Sequence, residues 1–155
     1  MRHRRSLNRQ ISVSGELRPD DPEELSRAGF ASVVDVRSPA ETGDGLGPDE
    51  ERQRLAALGI EYVHLPIPGQ WIDAQLLQAF GDALDQLRTP ILVHCESGAR
   101  AAILTMIAMG RRNGWSADET LERARSLGIA CEFPALEQAA RSYLDTQDTG
   151  YCPVG

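Results

Sequence analysis

The segment ILVHCESGARAAIL, residues 91–104, constrains the fold of this chain more than any other. It begins with an apolar run typical of a central, fully buried strand. It continues into AAILTMIAMGRR, which is apolar all round and predicts a buried helix. Between the two lies a short turn with Cys95, Gly98 and Arg100. A strand that turns directly into a helix is a building unit of α/β folds, in which ligands bind beyond the carboxyl ends of the strands.

Strand-like and helix-like segments alternate through the rest of the chain. QISVSG, ASVVDVR and IEYVHLPI are predicted strands. Helices are predicted in DDPEELSRAGF with Asp21 as its cap, PDEERQRLAALG, DAQLLQAFGDALDQL, SADETLERARSLG with Ser116 and Glu119 as a capping box, and PALEQAARSYL. This alternation predicts an α/β fold with a central parallel or mixed sheet of about four or five strands and helices on both faces. The length suits one domain over residues 1–155, with residues 1–8 and 147–155 flexible.

Composition excludes several classes of function. The net charge of −7 argues against nucleic acids and membrane surfaces as partners, because both are anionic. All 16 basic residues are arginine, which rules out a lysine nucleophile or Schiff base. The sequence has no signal-peptide pattern and no apolar run of membrane-spanning length. Three scattered cysteines fit neither a disulfide framework nor a zinc site. We therefore expect a cytoplasmic protein without metal or cofactor.

The cysteine turn has the chemistry of a nucleophile site. Unpaired N–H groups and the helix dipole at the start of the following helix, together with the Arg100 guanidinium, favour a thiolate at Cys95. Gly98 allows a backbone conformation or close approach that a Cβ would obstruct. Arg100 can bind an oxyanion through its planar fork. A lone buried cysteine would be a small hydrophobe, but this combination predicts that Cys95 is the nucleophile for a small anionic substrate.

VVDVR, EYVHLPI and VHCESGARAA, in this order, resemble the cysteine-dependent phosphatase superfold in its dual-specificity-like branch. The nearest resemblance is to a bacterial family of small phosphatase-fold proteins, also found fused to metallo-β-lactamase-like sulfur dioxygenases and described as sulfurtransferase-like. The resemblance implies that Cys95 is the nucleophile and that Arg100 is the anion clamp. It also implies an anion cradle made by the loop amides, which belong to Glu96, Ser97, Gly98, Ala99 and Arg100.

Three features favour sulfur transfer over phosphatase chemistry. Four residues separate Cys95 from Arg100, whereas phosphatases of this superfold have five; the difference shortens the loop by about 3.5 Å and matches rhodanese-type sulfurtransferases. The nearest candidate for a general acid, Asp73, is placed better as a helix cap. Ala101 stands where phosphatases usually have Ser or Thr. We therefore expect a Cys95 persulfide, formed from thiosulfate or another persulfide donor and passed to a thiol or cyanide acceptor.

Two alternatives remain at this point. One is a phosphatase that forms a phosphocysteine at Cys95 with a phosphotyrosine or small phosphoester. The other is a catalytically degenerate module that binds an anion or a partner. The Glu96 carboxylate disfavours sulfur transfer as well as phosphatase chemistry, because it repels anions and disfavours the thiolate form of the neighbouring cysteine, unless it points to solvent.

Several other residues are candidates for roles at the site or in the core. Arg37 is either a second anion contact or a surface charge, and Trp71 is a candidate for the pocket rim. His64 and His94 are predicted to be hydrogen-bonded structural residues. The further cysteines, Cys131 and Cys152, are candidates for a resolving or sulfur-accepting thiol.

Overall fold

Five short strands form a single mixed sheet in the computed structural model, which describes residues 3–38, 43–68, 72–129, 131 and 133–145. In spatial order they are β1 (Arg5–Ser6), β2 (Ile11–Ser14), β5 (Ile91–His94), β3 (Ser32–Asp35) and β4 (Glu61–His64). β1 is antiparallel to β2, and all other neighbours are parallel. The predicted mixed α/β architecture is confirmed, and the strand before Cys95 is central, as its apolar sequence indicates.

The strand register places the carboxyl ends of the parallel strands in one row. His94 of β5 is aligned with Ser14 of β2 and with Asp35 of β3, and Asp35 is aligned with His64 of β4. Because parallel strands end at the same edge of a sheet, the segments that follow them also start side by side. Every residue of β3 and β5 is buried, so both faces of these strands are covered.

The first of two compact units contains residues 1–67 and 83–102. Its helices α1 (Asp21–Arg27) and α2 (Pro48–Ala57) both have proline in the first turn, where a missing N–H costs nothing. One apolar cluster joins these helices to the sheet: Leu17, Leu25, Val33, Leu46, Leu55, Ile60 and Leu92. The prediction of Asp21 as the cap of α1 is wrong by one residue. Asp20 occupies the cap position, and the Asp21 carboxylate instead accepts a hydrogen bond from the Arg18 N–H at 2.7 Å.

The second unit contains residues 68–82 and 103–155. It includes most of α3 (Ala74–Gln86) and of α4 (Ala99–Asn113), all of α5 (Ala117–Ser126) and α6 (Pro134–Ala140), and a π-helical turn at Arg141–Asp145. The predicted cap of α5 is confirmed, since the Ser116 hydroxyl accepts the Glu119 N–H at 3.1 Å. Arg111 lies 4.6 Å from the centre of the Tyr143 ring and donates to the Tyr143 carbonyl oxygen.

Two residues near the amino-terminal end form an edge strand. Residues 1–8 are predicted to be flexible, yet Arg5 and Ser6 pair with Val13 and Ser12 as an edge strand. Residues 147–155 lie outside the described part of the chain, and the single-domain organisation stays a prediction. Among the described helices, none combines the length and apolar content needed to cross a bilayer.

Candidate active site

Cys95 directly follows the central strand β5 and begins the cysteine loop, residues 95–100, whose last two residues begin α4. Its N–H donates to the Ser14 carbonyl oxygen at 3.4 Å, which extends the β2–β5 pairing by one residue. The loop then folds back on the sulfur, and the Gly98 N–H donates to Sγ at 3.1 Å. The residue is only 1% exposed. A backbone donor aimed at the sulfur is the contact that a negatively charged thiolate accepts.

Gly98 makes this tight fold possible. Its φ of +96° lies in the region that favours glycine. A Cβ at this position would lie 3.1 Å from the carbonyl carbon of Ser14 and 3.2 Å from the nitrogen of Gly15. Both predicted reasons for a glycine, the backbone conformation and the close approach, are therefore confirmed.

The loop leaves backbone donors without partners. Among the residues that the structure describes, the N–H groups of Glu96 and Ser97 form no hydrogen bond, while the Ala99 N–H donates to the Ser97 hydroxyl at 3.3 Å. The Glu96 carbonyl oxygen, in contrast, accepts the Glu16 N–H at 3.1 Å. The side chains of Glu96 and Ser97 are exposed, which limits the repulsion between the Glu96 carboxylate and an anion at the loop.

Arg100 is held inward. It is the second residue of α4 and is 9% exposed, and its Nη1 donates to the Ile67 carbonyl oxygen at 3.1 Å. The hydrogen bond to Ile67, in the segment after β4, therefore keeps the guanidinium mostly buried instead of leaving it in solvent. This position fits the predicted anion clamp, which stays a prediction.

Asp73 is a helix cap, as its sequence position indicates. Its Oδ1 accepts the Leu76 N–H at 2.9 Å at the start of α3. This contact engages the carboxylate that is the nearest candidate for a general acid. The candidate for the pocket rim, Trp71, lies outside the described residues, as does Cys152. The remaining thiol, Cys131, is half-buried in the second unit and donates to the Ile129 carbonyl oxygen at 3.4 Å.

Among the described residues, the Arg37 side chain forms hydrogen bonds to carboxylates and none to the cysteine loop. The side chain is completely buried. Its Nε and Nη2 donate to the two Asp35 carboxylate oxygens at 2.9 and 2.8 Å, and Nη2 also donates to Glu51 at 2.8 Å. Nη1 donates to Glu16 at 3.3 Å. Because three carboxylates surround the buried guanidinium, Arg37 is not the surface charge that the sequence allows, and its contacts among the described residues give no support to an anion-binding role.

His94 and Glu51 complete a buried charge cluster, defined here as Asp35, Arg37, Glu51 and His94. The Nε2 atom of His94 lies 2.8 Å from Glu51 Oε1, and Tyr62 donates its hydroxyl to Asp35 at 2.8 Å. His94 is thus a hydrogen-bonded structural residue, as predicted. His64 also matches its prediction, since its Nε2 lies 2.8 Å from the Arg37 carbonyl oxygen.

The cluster shifts the ionisation of its members. Burial raises the pKa of Glu51, although the hydrogen bond to His94 opposes this shift. Burial acts in the same direction on Asp35, but the hydrogen bond from Arg37 and the charges of His94 and Arg37 outweigh it and lower the pKa of that carboxyl. Burial alone would lower the pKa of His94. The hydrogen bond to Glu51 and the charges of Glu51 and Asp35 outweigh burial and raise the pKa of the imidazole.

The donor atoms of Asp35, Glu51 and His94 lie within 4.8 Å of one another, as the ligands of a metal ion would. Arg37 already donates to both carboxylates, however, and supplies the positive charge that a metal would bring. Local sequence patterns do not indicate this cluster, because its members come from β3 and the residues just after it, from α2 and from β5. The DVR triplet is the only local signal, since it places Asp35 and Arg37 two residues apart.

Comparison with known proteins supports the phosphatase-like fold. Residues 3–111 match the family described as beta-lactamase hydrolase-like protein, phosphatase-like domain. The beta-lactamase hydrolase-like protein of Xylella fastidiosa is 31% identical over 98 residues, which cover 63% of this chain and 23% of the relative. The Agrobacterium fabrum protein of the same name is 28% identical over 104 residues, which cover 67% of this chain and 24% of the relative. The chain therefore spans less than two thirds of the length of these curated relatives.

A solved structure with the same fold is the active form of Tk-PTP. It has a TM-score of 0.76 and 19% identity, covering 92% of this chain and 96% of that chain. These values show the shared fold and no more. The family description favours the phosphatase alternative and does not support the expected sulfurtransferase.

Proposed function

Since the chain belongs to the phosphatase-like domain family of beta-lactamase hydrolase-like proteins, we propose that it is a cysteine-dependent phosphatase. The observation that carries this proposal is the cysteine loop. The Cys95 sulfur accepts a backbone N–H from Gly98, and the neighbouring N–H groups of Glu96 and Ser97 have no acceptor among the described residues. In this arrangement the sulfur can attack an anionic substrate while the free backbone donors stabilise the negative charge that develops on its oxygens.

The reaction follows from these groups in two steps. The Cys95 thiolate attacks the phosphorus, so that an S–P bond forms and the ester P–O bond breaks, and the departing oxygen takes a proton from water. A second water then attacks the phosphorus, which breaks the S–P bond and releases inorganic phosphate and the thiolate. Backbone donors at residues 96 and 97, with the Arg100 guanidinium, would hold the non-bridging oxygens as charge develops on them.

The substrate class follows from what assists the leaving group. The Asp73 carboxylate accepts a helix N–H, and Ala101 has no hydroxyl to assist the departure of the cysteine. An aryl phosphate needs less acid assistance than an alkyl phosphate, because a phenoxide is the weaker base. We therefore expect aryl phosphates to be the better substrates. A solved structure of similar fold, a cysteine-to-serine variant of Pseudomonas aeruginosa TpbA, contains phosphotyrosine; it has a TM-score of 0.73, 16% identity, and coverage of 97% of this chain and 90% of that chain.

The test compares wild type, Cys95→Ser and Cys131→Ser with p-nitrophenyl phosphate. Wild type and Cys131→Ser should release phosphate at similar rates, and Cys95→Ser should be slower by about 1,000-fold or more. Acid quenching followed by mass spectrometry should place a phosphoryl group on the Cys95 peptide only. Equal phosphate release by wild type and Cys95→Ser would contradict the proposal.

Sulfane-sulfur transfer is the second candidate, and two observations favour it. Four residues separate Cys95 from Arg100, which gives a smaller ring of donors than the phosphatase loop has. Thiosulfate and persulfides also need no general acid, which agrees with the capping role of Asp73. In this reaction the thiolate attacks the outer sulfur of thiosulfate, an S–S bond forms, and sulfite leaves with the electron pair of the broken bond. Cyanide then removes the outer sulfur as thiocyanate and restores the thiolate.

One pair of assays separates the two candidates. Wild type and Cys95→Ser are incubated with thiosulfate and cyanide, and separately with the aryl phosphate. Thiocyanate formed by wild type alone, without phosphate release in the parallel assay, would replace the phosphatase proposal by the sulfur-transfer candidate. Binding of phosphate or thiosulfate without turnover of either would identify a module that only binds anions.

A further inference from the structure

The last residue of β2 and the two residues after it, 14–16, contact the cysteine loop at several points. The Ser14 carbonyl oxygen accepts the Cys95 N–H at 3.4 Å, and the Glu16 N–H donates to the Glu96 carbonyl oxygen at 3.1 Å. Gly98 packs against the same segment so closely that a Cβ would lie 3.1 Å from Ser14. The two backbone hydrogen bonds hold the beginning of the loop, and the Gly98 contact fixes its middle.

The Glu16 carboxylate accepts three hydrogen bonds. Oε1 accepts the Gly45 N–H at 3.0 Å, and Oε2 accepts the Gly43 N–H and Arg37 Nη1, each at 3.3 Å. The side chain is mostly buried. Gly43 and Gly45 allow this approach, because a Cβ at either position would lie less than 3 Å from the Glu16 side chain. Glu16 therefore joins the cysteine loop, through its backbone, to the segment at 43–45 and to Arg37, through its carboxylate.

The planarity of the peptide bond gives this contact a consequence for the site. The Glu96 carbonyl and the Ser97 N–H belong to one trans peptide, in which the two groups point in opposite directions. A carbonyl fixed by the Glu16 N–H therefore directs the Ser97 N–H to the side away from Glu16. This N–H is one of the two donors that have no partner among the described residues.

We propose that Glu16 is a positioning residue for the anion cradle, and that it orients the Ser97 N–H toward the bound anion through the Glu96–Ser97 peptide. The proposal rests on the proposed function, because it requires an anion at the cysteine loop. Its physical basis is that a hydrogen bond from a preoriented donor costs no reorganisation when negative charge arrives. A donor that must first be oriented loses part of its contribution to binding.

The test measures how inorganic phosphate protects Cys95 from alkylation by iodoacetamide, with mass spectrometry of the Cys95 peptide as the readout. Glu16→Ala should raise the phosphate concentration for half-protection by about tenfold, because the side-chain contacts to Arg37 and to two backbone N–H groups are lost. Glu16→Gln keeps one acceptor oxygen and places an amide donor against other donors, so an increase of about threefold is expected. Leu55→Ala, a core variant in α2, is the control for lost stability and should change half-protection less than about twofold.

Amide hydrogen exchange, followed by NMR, gives a second readout that does not depend on any ligand. The Cys95 and Gly98 N–H groups should exchange at least about fivefold faster in Glu16→Gln than in wild type, since the segment that holds them is loosened. In Leu55→Ala these rates should equal those of wild type at the same temperature. This temperature is chosen so that Leu55→Ala has the same unfolded fraction as Glu16→Gln. If Glu16→Ala does not fold, Glu16→Gln carries both measurements.

The possible results separate the two proposals. Glu16 variants that match Leu55→Ala in both exchange and protection would overturn the positioning role and leave the proposed function intact. Failure of phosphate to protect wild-type Cys95 would count against an anion cradle and thus against the positioning of a donor for it. A slower exchange of Gly98 in Glu16→Gln than in wild type would also overturn the positioning role.

Discussion

The cysteine loop and the buried charge cluster both adjoin the carboxyl end of β5, yet they manage charge in different ways. The loop consists of consecutive residues and offers backbone N–H groups, with the side chains of Glu96 and Ser97 exposed. The cluster combines residues from three distant parts of the sequence, and its charged side chains are completely buried and paired with one another. In the loop, the partial positive charges of the backbone N–H groups remain available to an external anion. In the cluster, the full charges of the side chains compensate one another.

This difference indicates that the cluster contributes mainly to stability and the loop mainly to anion binding and chemistry. A buried ion that loses its partner is costly, because no water can replace the contact. The cluster is therefore expected to control stability and the position of β3, β5 and α2. A backbone donor that waits for an anion contributes little to folding and much to binding and chemistry. Substitutions in the two regions should accordingly separate stability from activity.

Arg37→Met should give the largest loss of stability, since it leaves the carboxylates of Asp35 and Glu51 buried without their cation. We expect the free energy of unfolding in urea to fall by about 3–5 kcal/mol. Arg54→Met is the matched control, because Arg54 also pairs with a glutamate at 2.8 Å but at the surface. It should cost no more than about 1 kcal/mol. Similar losses for the two variants would show that the cluster contributes no more than a surface pair.

Gly98→Ala should affect the loop through its backbone. Gly98 has a φ of +96° and Gly29 has a φ of +89°, but only the former has neighbours within reach of a new Cβ. Alanine at either position should cost about 1–2 kcal/mol of stability from backbone strain. Only Gly98→Ala should also lower turnover of the aryl phosphate, by about tenfold or more, because the loop must shift away from Ser14. Equal turnover in the two variants would mean that the close approach has no role in the chemistry.

His94 should make stability depend on pH on the alkaline side of its ordinary pKa. The pKa of His94 is raised in the folded protein, so between about pH 6.5 and that higher value the native state binds more protons than the unfolded state. The unfolding free energy should therefore fall as the pH rises through this window, by at most about 1.4 kcal/mol per pH unit. Glu51→Gln removes the hydrogen-bonding carboxylate and should flatten the dependence. A flat profile in wild type would mean that the buried Nδ1 atom, which has no partner among the described residues, keeps the ring neutral.

Local sequence patterns predict the loop and two of the helix caps because their physical causes are local. A strand, a glycine and a helix start within ten residues define the position of Cys95, and the caps at Asp73 and Ser116 each involve an N–H three residues further on. The cluster cannot be predicted in this way. His94 and Glu51 are 43 residues apart and Arg37 and Glu51 are 14 apart, so their contacts depend on how the strands and α2 pack.

The error at Arg37 and the omission of Glu16 have the same cause. An arginine at a strand end is normally a surface residue, and only the placement of Asp35 and Glu51 around it explains its burial. Glu16 follows β2, and its link to the cysteine loop requires that β2 be the neighbour of β5, which no local pattern indicates. The short edge strand β1 likewise forms only because β2 is there to pair with it.

Asp73→Asn should have the smallest effect, and it tests whether the loop needs a general acid from this position. Asparagine can also accept the Leu76 N–H, so the unfolding free energy should change by less than about 0.5 kcal/mol, whereas Asp73→Ala should cost about 1 kcal/mol. If Asp73 only caps α3, the asparagine variant should keep the turnover of the aryl phosphate within about twofold of wild type. A general acid must carry a proton that asparagine cannot supply, so a loss of about a hundredfold would instead assign that role to Asp73. Because the two variants differ in capping and share the loss of the carboxyl proton, their comparison separates helix stability from proton transfer.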